Sequence, residues 1–143
     1  MTILAIDPGP TESALVEWNG ACLVTQAIGA NDFSRMDVEK KCQEHHELVV
    51  AVEMVACYGM PVGREVFETC LQIGRIQEIC ARYKTPCRLI YRLQVKQHLC
   101  HDTRAKDSNI RRALVDRFGE PGTKKAPGKL YGIKSHERSA LAI

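Results

Sequence analysis

The chain has 143 residues, enough for one domain with a hydrophobic core, and we expect a single domain over residues 1–143. It contains no apolar run long enough to cross a membrane, which argues against a membrane-spanning protein and against a membrane partner. Its seven cysteines are odd in number, widely spaced and without a CxxC pair, which argues against a disulfide framework or a zinc ribbon. We therefore expect reduced thiols in a cytoplasmic protein.

The net charge of +3 conceals two oppositely charged halves. Residues 1–83 hold six Lys and Arg against twelve Asp and Glu, a net charge of −6, whereas residues 84–143 hold fourteen against five, a net charge of +9. A basic half of this size indicates a nucleic-acid partner, with a solvated lysine-rich surface as the alternative. Arginine suits the geometry of phosphate, so the candidate phosphate contacts are Arg92, Arg104, Arg111 and Arg112.

Hydrophobic patterns and turn signals predict a mixed α/β domain. Strands are predicted over residues 2–7, 13–18, 21–27, 47–54 and 87–91. Helices are predicted over residues 36–46, 63–83, 95–99, 106–118 and from His136 onwards, and we expect the last helix to be incomplete at Ile143. Three antiparallel strands, followed by strands that alternate with helices, make a mixed sheet.

Acidic residues end two of the apolar runs. Asp7 follows Ile3-Leu4-Ala5-Ile6 and precedes a Pro-Gly-Pro turn, and Glu53 follows the run over residues 48–52. If these two strands are neighbours, the two carboxylates meet, and a third acidic element, His136-Glu137, opens the last helix. Carboxylates on rigid strand ends can hold Mg²⁺ for phosphate chemistry, because hard cations prefer oxygen ligands. The alternative is that each acid only caps a helix or a turn.

Four segments, in this order, resemble the RuvC-type Holliday junction resolvases of the RNase H-like (retroviral integrase) superfamily. They are Leu4-Ala5-Ile6-Asp7-Pro8-Gly9, Val50-Ala51-Val52-Glu53, Gln94-Val95-Lys96-Gln97 followed by Ala105-Lys106, and Ser139-Ala140-Leu141-Ala142. The block from Tyr58 to Phe67 and the Pro127-Gly128 loop look more like phage-encoded relatives than the bacterial housekeeping enzyme. The resemblance spans nearly the whole chain.

This resemblance implies an RNase H-like mixed five-stranded sheet, with three antiparallel strands and then parallel strands, flanked by helices. It implies an intracellular, Mg²⁺-dependent endonuclease, with Mn²⁺ as a substitute, that resolves four-way and other branched DNA junctions by two-metal hydrolysis. Asp7 would bridge both ions and Glu53 would hold one of them. The family also implies a homodimer through the 63–83 helix, and we expect Ile73 to lie on the outward face of that helix.

The third metal position departs from the family pattern. The family has two acids three residues apart on the last helix, or a His followed three residues later by Asp. Here His136 fits the first position, but Ser139 stands at the second. We expect Glu137 to act as the ligand and His136 to act as a ligand or to handle a proton, with Asp107 as a reserve ligand.

Lys96 and Lys106 match basic positions that support the scissile phosphate in the family, with a solvated helix face as the alternative. Tyr58 and Met60 are apolar residues in the loop after Glu53, where they could wedge or stack on an unpaired base. The alternative for these two is that they fold back on the core.

Two other functions compete with a junction nuclease. Ser139 could mark a decayed site, which would leave a protein that binds junction DNA without cutting it. The segment from Asp7 to Thr11 also resembles the phosphate loop of sugar kinases and actin-like ATPases. Those proteins need two such domains, and this chain provides one.

Overall fold

Five strands and five helices form the protein, and the computed structural model describes every residue from Met1 to Ile143. The strands are β1 (Thr2–Pro8), β2 (Glu12–Trp18), β3 (Leu23–Ala30), β4 (Leu48–Met54) and β5 (Cys87–Tyr91). The helices are α1 (Asn31–Glu44), α2 (Arg64–Arg82), α3 (Arg92–Cys100), α4 (Asp107–Phe118) and α5 (Ser135–Ala142). None of these helices has the length and apolar character needed to cross a membrane.

The strands form one sheet in the order β3-β2-β1-β4-β5. β1 and β3 are antiparallel to β2, whereas β4 runs parallel to both β1 and β5. The predicted mixed sheet of three antiparallel strands followed by parallel strands is therefore confirmed. Because β1, β4 and β5 are parallel, their C-terminal ends lie at the same edge of the sheet.

The pleat of the strands divides the core into two faces. Ile6 of β1 and Val52 of β4 are fully buried among the apolar side chains of α1 and α2. Since successive side chains point to opposite faces, the residues that follow them, Asp7 and Glu53, lie on the other face. That face is covered near β1 and β2 by α5.

Small side chains bring α5 close to the sheet. Ala140 of α5 is fully buried in a cluster with Ala14 and Val16 of β2. An alanine on each surface allows the helix backbone to approach the strands closely, because no long side chain separates them. As a result, the first turn of α5 lies beside the C-terminal end of β1.

Helix α1 begins at Asn31, before the predicted start at Met36. The Asn31 amide donates a hydrogen bond of 3.0 Å to the carbonyl oxygen of Gly9, and the Ser13 hydroxyl donates one of 2.7 Å to Asn31 Oδ1. These contacts join the helix start to the turn between β1 and β2. The local pattern does not predict this boundary because the contacts that fix it come from distant residues.

Helix α2 buries a different face from the one expected. Ile73 is only 2% exposed and belongs to the main core, so its predicted outward position is wrong. The exposed apolar residues are Phe67 and Leu71, which are four residues apart and therefore adjacent on the helix surface. The periodicity of α2 is apolar on more than one side, so the sequence alone does not fix its rotation.

Helix α3 follows β5 directly, starting at Arg92 rather than at Val95. The backbone N–H of Tyr91 donates to the side-chain oxygen of Gln94 at 2.8 Å, which satisfies a donor at the helix start. This immediate strand-to-helix junction places Arg92 at the C-terminal end of β5.

Candidate functional site

The two predicted strand-end acids meet at one edge of the sheet. The last parallel pair between β1 and β4 is Ile6 with Val52, and Asp7 and Glu53 follow that pair on the same face. A tight turn ends the first strand, since a Cβ at Gly9 would lie 2.6 Å from the carbonyl oxygen of Glu12. Only glycine fits there without displacing the backbone, which fixes the position at which β1 presents its carboxylate.

His136 reaches this edge from α5. Its Nδ1 atom lies 3.3 Å from Oδ2 of Asp7, across 129 residues of sequence. The imidazole is largely exposed whereas the side chain of Asp7 is only 18% exposed, so the histidine closes over the carboxylate from the solvent side. The structure therefore brings Asp7, Glu53 and His136 to one region, as their positions in the sequence suggest.

Arg92 provides the positive charge of the site. Its Nη2 atom lies 2.7 Å from Oδ1 of Asp107, at the start of α4, while Nη1 lies 3.6 Å from Oε2 of Glu53. Asp107 is 82% exposed, whereas the side chain of Glu53 is 17% exposed. The guanidinium thus extends from a buried acid to an acid at the surface.

Burial dominates the electrostatics of the two strand-end acids. Removal from water raises the pKa of Glu53 to about 7; Arg92 opposes this shift and the charge of Asp7 adds to it. Burial also raises the pKa of Asp7, against the opposing hydrogen bond and charge of His136 and the charge of Arg92. Neither Oε2 of Glu53 nor Nη1 of Arg92 has a hydrogen-bond partner, although both atoms are buried. The site therefore holds more buried charge than its own contacts satisfy.

Two neighbouring clefts open at these residues and share Arg92. One, of about 270 Å³, is lined by Asp7, Glu53, Tyr58 and the apolar residues of the loop after β4. The other, of about 210 Å³, is lined by Asp107, His136 and Ser139 on its far side. We call the first the carboxylate cleft and the second the histidine cleft. The side chain of Arg92 separates them.

Glu137 lies apart from this group. It is only 6% exposed, and its Oε2 atom accepts a hydrogen bond of 2.7 Å from the backbone N–H of Lys134 at the start of α5. A carboxylate in this position satisfies an otherwise unpaired helix donor and interacts favourably with the helix dipole. Of the two neighbours predicted for the third metal position, the structure brings His136 to Asp7 and directs an oxygen of Glu137 to its own helix.

The predicted DNA-contacting residues are distributed around the clefts. Tyr58 is exposed and lines the carboxylate cleft, and Met60 is exposed two residues further along the same loop. Lys96 is partly buried and Lys106 is exposed, but neither lines the carboxylate cleft or the histidine cleft. The three remaining arginines are exposed on and before α4, at Arg104, Arg111 and Arg112.

A divalent cation fits the two strand-end acids by its chemistry. Nowhere in the chain are three or more His, Cys, Asp or Glu side chains arranged closely enough to hold a metal ion by themselves. Mg²⁺, however, usually keeps several waters and binds one or two carboxylates together with the phosphates of its substrate. Asp7 and Glu53 supply two such carboxylates, and the unpartnered oxygen of Glu53 is available to a cation. The donor set thus fits a metal whose remaining positions are filled by water and by the phosphates of a substrate.

Comparison with solved structures identifies the fold. A Thermus thermophilus RuvC structure matches with a TM-score of 0.70 and 22% identity, over 100% of this chain and 90% of that chain. A structure of T. thermophilus RuvC in complex with Holliday junction substrate matches with a TM-score of 0.76 and 21% identity, over the same shares. The fold is that of RuvC. No protein-family model matches the chain, and no curated protein sequence matches it.

Within this RuvC fold, the sequence interpretation missed two features of the site. It did not pair Arg92 with Asp107, because these residues are fifteen positions apart and lie on different helices. It also missed Arg138, which lines the histidine cleft together with Ser135 and Ser139. The spacing of these three residues, i, i+3 and i+4 on one helix, was the available signal.

Proposed function

We propose that this protein is a divalent-metal-dependent endonuclease that resolves four-way and other branched DNA junctions. The supporting observation is the meeting of Asp7, Glu53 and His136 at one sheet edge, within the fold of a protein whose complex with Holliday junction substrate is known. Two largely buried carboxylates, one of which has an oxygen without a hydrogen-bond partner, suit a cation, and the basic second half of the chain suits the DNA that would bring it phosphates.

Each residue of the site has a separate role in this proposal. Asp7 and Glu53 hold Mg²⁺, or Mn²⁺ in its place, through carboxylate oxygens. A metal held there would supply an activated water and would neutralise charge on the leaving oxygen, the chemistry of two-metal hydrolysis. His136, hydrogen-bonded to Asp7 from the solvent side, orients that carboxylate and can accept or donate a proton at its other ring nitrogen.

The DNA would cover the edge of the sheet on which the clefts open. Tyr58 and Met60 would contact unpaired bases at the junction centre, because an exposed aromatic ring and an exposed thioether suit stacking or wedging. Lys96 and Lys106 would lie along the scissile strand as supports of the phosphates. The track of phosphate contacts would continue along Arg92, Arg104, Arg111 and Arg112.

A homodimer through α2 would present two such sites to one junction. Phe67 and Leu71 form an exposed apolar face on this helix, next to the exposed loop that carries Met60. Paired incision of a four-way junction requires two active sites with two-fold symmetry, and a shared helix face provides that symmetry. Sedimentation of the protein and of a Phe67→Glu variant measures whether this face associates.

A synthetic junction tests the proposed activity directly. An end-labelled four-way junction and a linear duplex of matching sequence are incubated with the protein in Mg²⁺, Mn²⁺ or EDTA. We expect paired cuts in the junction with either metal, no cuts in EDTA and little cutting of the duplex. Equal cutting of both substrates would remove the junction specificity from the proposal.

A junction-binding protein without nuclease activity is the second candidate. The absence of any cluster of three or more metal-binding side chains, together with the serine at position 139, favours it. The same assay separates the two functions. A specific shift of the junction in a native gel, without cleavage in either metal, would establish the second.

A further inference from the structure

Arg92 lines both clefts of the candidate site. Its guanidinium stands between the carboxylate cleft and the histidine cleft and faces acids on both sides. The contact with Asp107 is a full hydrogen bond at 2.7 Å, whereas the approach to Glu53 stops at 3.6 Å. The buried Nη1 and Oε2 atoms that face each other across this gap have no hydrogen-bond partner. The arginine is thus held near Glu53 without completing the pair.

The backbone accounts for this placement. β5 runs parallel to β4 and pairs Glu53 with Ile90, so Arg92 emerges just beyond the strand ends that carry the acids. Asp107 lies at the start of α4 and holds the other arm of the guanidinium from the surface. With Nη2 hydrogen-bonded to Asp107 at 2.7 Å, Nη1 remains 3.6 Å from Oε2 of Glu53, too far for a hydrogen bond.

We propose that Arg92 is an internal counter-ion that competes with the metal for Glu53. Asp107 acts as a tether: its hydrogen bond to the guanidinium prevents Arg92 from forming a close ion pair with Glu53. This inference rests on the proposed metal-dependent function. Without metal, the guanidinium offsets part of the negative charge at the strand ends. With a divalent cation at Glu53, two like charges would lie close together, so the arginine must give way toward Asp107.

The inference predicts opposite effects for the two residues of the pair. Arg92→Gln removes the competing charge and should tighten the binding of metal by about tenfold or more, because juxtaposed like charges are costly away from bulk water. Asp107→Asn releases the tether, lets the guanidinium settle on Glu53 and should weaken metal binding by about threefold or more. Arg92→Lys keeps the charge and should stay within about threefold of the wild type.

Direct titration of Mn²⁺ into the DNA-free protein, followed by electron paramagnetic resonance of the free ion, measures these affinities without any nuclease assay. Arg88→Gln is the matched control, since Arg88 is an exposed residue of β5, the strand that directly precedes Arg92, and the change removes the same charge. Thermal unfolding of each variant confirms that it is folded. Asp7→Asn reports whether the measured ion binds at the strand ends.

The double variant Arg92→Gln/Asp107→Asn decides how Asp107 acts. If Asp107 works only through Arg92, its substitution has no further effect once the arginine is gone. If Asp107 is itself a ligand, Asp107→Asn weakens Mn²⁺ binding equally in both backgrounds, and the tether is refuted. An Arg92→Gln variant that binds Mn²⁺ no better than Arg88→Gln refutes the counter-ion.

Results that refute the roles of Arg92 and Asp107 can be told apart from results that refute the proposed metal-dependent function. If the wild type binds Mn²⁺ and Asp7→Asn abolishes that binding, the metal centre stands whatever Arg92 does. If Asp7→Asn leaves Mn²⁺ binding unchanged, or if neither the wild type nor Arg92→Gln binds the ion, the metal centre is lost and the counter-ion role with it. Binding by Arg92→Gln alone would be the strongest support for competition.

Discussion

Two glutamates on opposite faces of the sheet, one buried and one largely buried, differ in the contacts that their carboxylates make. Glu17 on β2 has Lys41 Nζ at 2.6 Å and His45 Nε2 at 3.8 Å, and Thr25 Oγ1 donates to it at 3.3 Å. Glu53 on β4 has a single cation at 3.6 Å and a buried oxygen without a hydrogen-bond partner. The first acid is neutralised within the protein, whereas the second is left incompletely satisfied.

The difference separates an acid that supports the structure from an acid that is available to a ligand. A buried charge with cation and hydroxyl at hydrogen-bond distance has little to gain from a further partner. A buried charge without them makes the folded state less favourable unless something else satisfies it. Such unsatisfied groups concentrate at functional sites, which is the reason for proposing a metal at the edge of Asp7 and Glu53.

The largest effect is expected from Asp7→Asn, which changes one of the two strand-end acids of the candidate site. Cleavage of the labelled junction should fall by about 10³-fold or more, because a metal contributes several kcal/mol to stabilising the transition state and 1.36 kcal/mol is tenfold in rate. Junction binding in a gel-shift assay should persist, since the basic surface is untouched. Substantial cutting by this variant would contradict the distinction between acids that serve the chemistry and acids that support the structure. Asp7 would then be no more functional than Glu17.

Glu17→Gln should act on stability instead of chemistry. Removing one partner of a buried ion pair leaves Lys41 uncompensated, so we expect a loss of about 2–4 kcal/mol of unfolding free energy, with the partial exposure of the lysine limiting the cost. Urea denaturation measures this loss, and the cleavage rate per folded molecule should stay within about twofold. A variant as stable as the wild type would show that the Glu17 pair contributes nothing to the fold.

Glu53→Gln should stabilise the metal-free protein at alkaline pH. Burial raises the pKa of Glu53 from 4.5 to about 7, so the folded state binds its proton more tightly than the unfolded chain does. The corresponding stability is fully present below about pH 4.5 and is lost as the pH rises through 7. The full shift corresponds to about 3 kcal/mol, which water access reduces to about 1–2.

Urea denaturation in EDTA across pH 4 to 9 tests this sign. The free energy of unfolding of Glu53→Gln should exceed that of the wild type at pH 8 and approach it below pH 4.5. A variant that is less stable than the wild type at pH 8 would mean that Arg92 satisfies Glu53 after all. The two glutamates would then be alike.

The smallest effect is expected from Glu137→Gln, on a third buried glutamate. Its Oε2 atom accepts the Lys134 N–H, and a glutamine oxygen can accept the same bond without the charge, so stability should fall by only about 0.5–1 kcal/mol. Junction cleavage should stay within about tenfold of the wild type, with His136→Ala slower by about 10²–10⁴. A dead Glu137→Gln beside an active His136→Ala would instead assign the third metal position to Glu137.

The sequence predicted those parts of the molecule that depend on local patterns. The apolar runs ending at Asp7 and Glu53 gave both strands and placed their acids at one sheet edge, because a parallel pair aligns its C-terminal ends. It could not give the rotation of α2, where Ile73 is buried instead of exposed, since apolar residues lie on more than one side of that helix. It also could not give the Arg92–Asp107 pair, which depends on how α3 and α4 pack together. The capping contact of Glu137 is local, three residues from Lys134, and was missed because the helix was predicted to begin one residue later.

The alanine contact between α5 and the sheet affects the position of His136 in the site. Ala140 lies on Ala14 with no exposed surface, while His136, one turn earlier in the helix, lies within 3.3 Å of Asp7. Small side chains that take no part in the chemistry therefore help to hold the imidazole beside the carboxylate. A side chain one or two carbons larger at position 14 or 140 would push α5 away from the sheet. His136 would then move away from Asp7, although no charged residue had been changed.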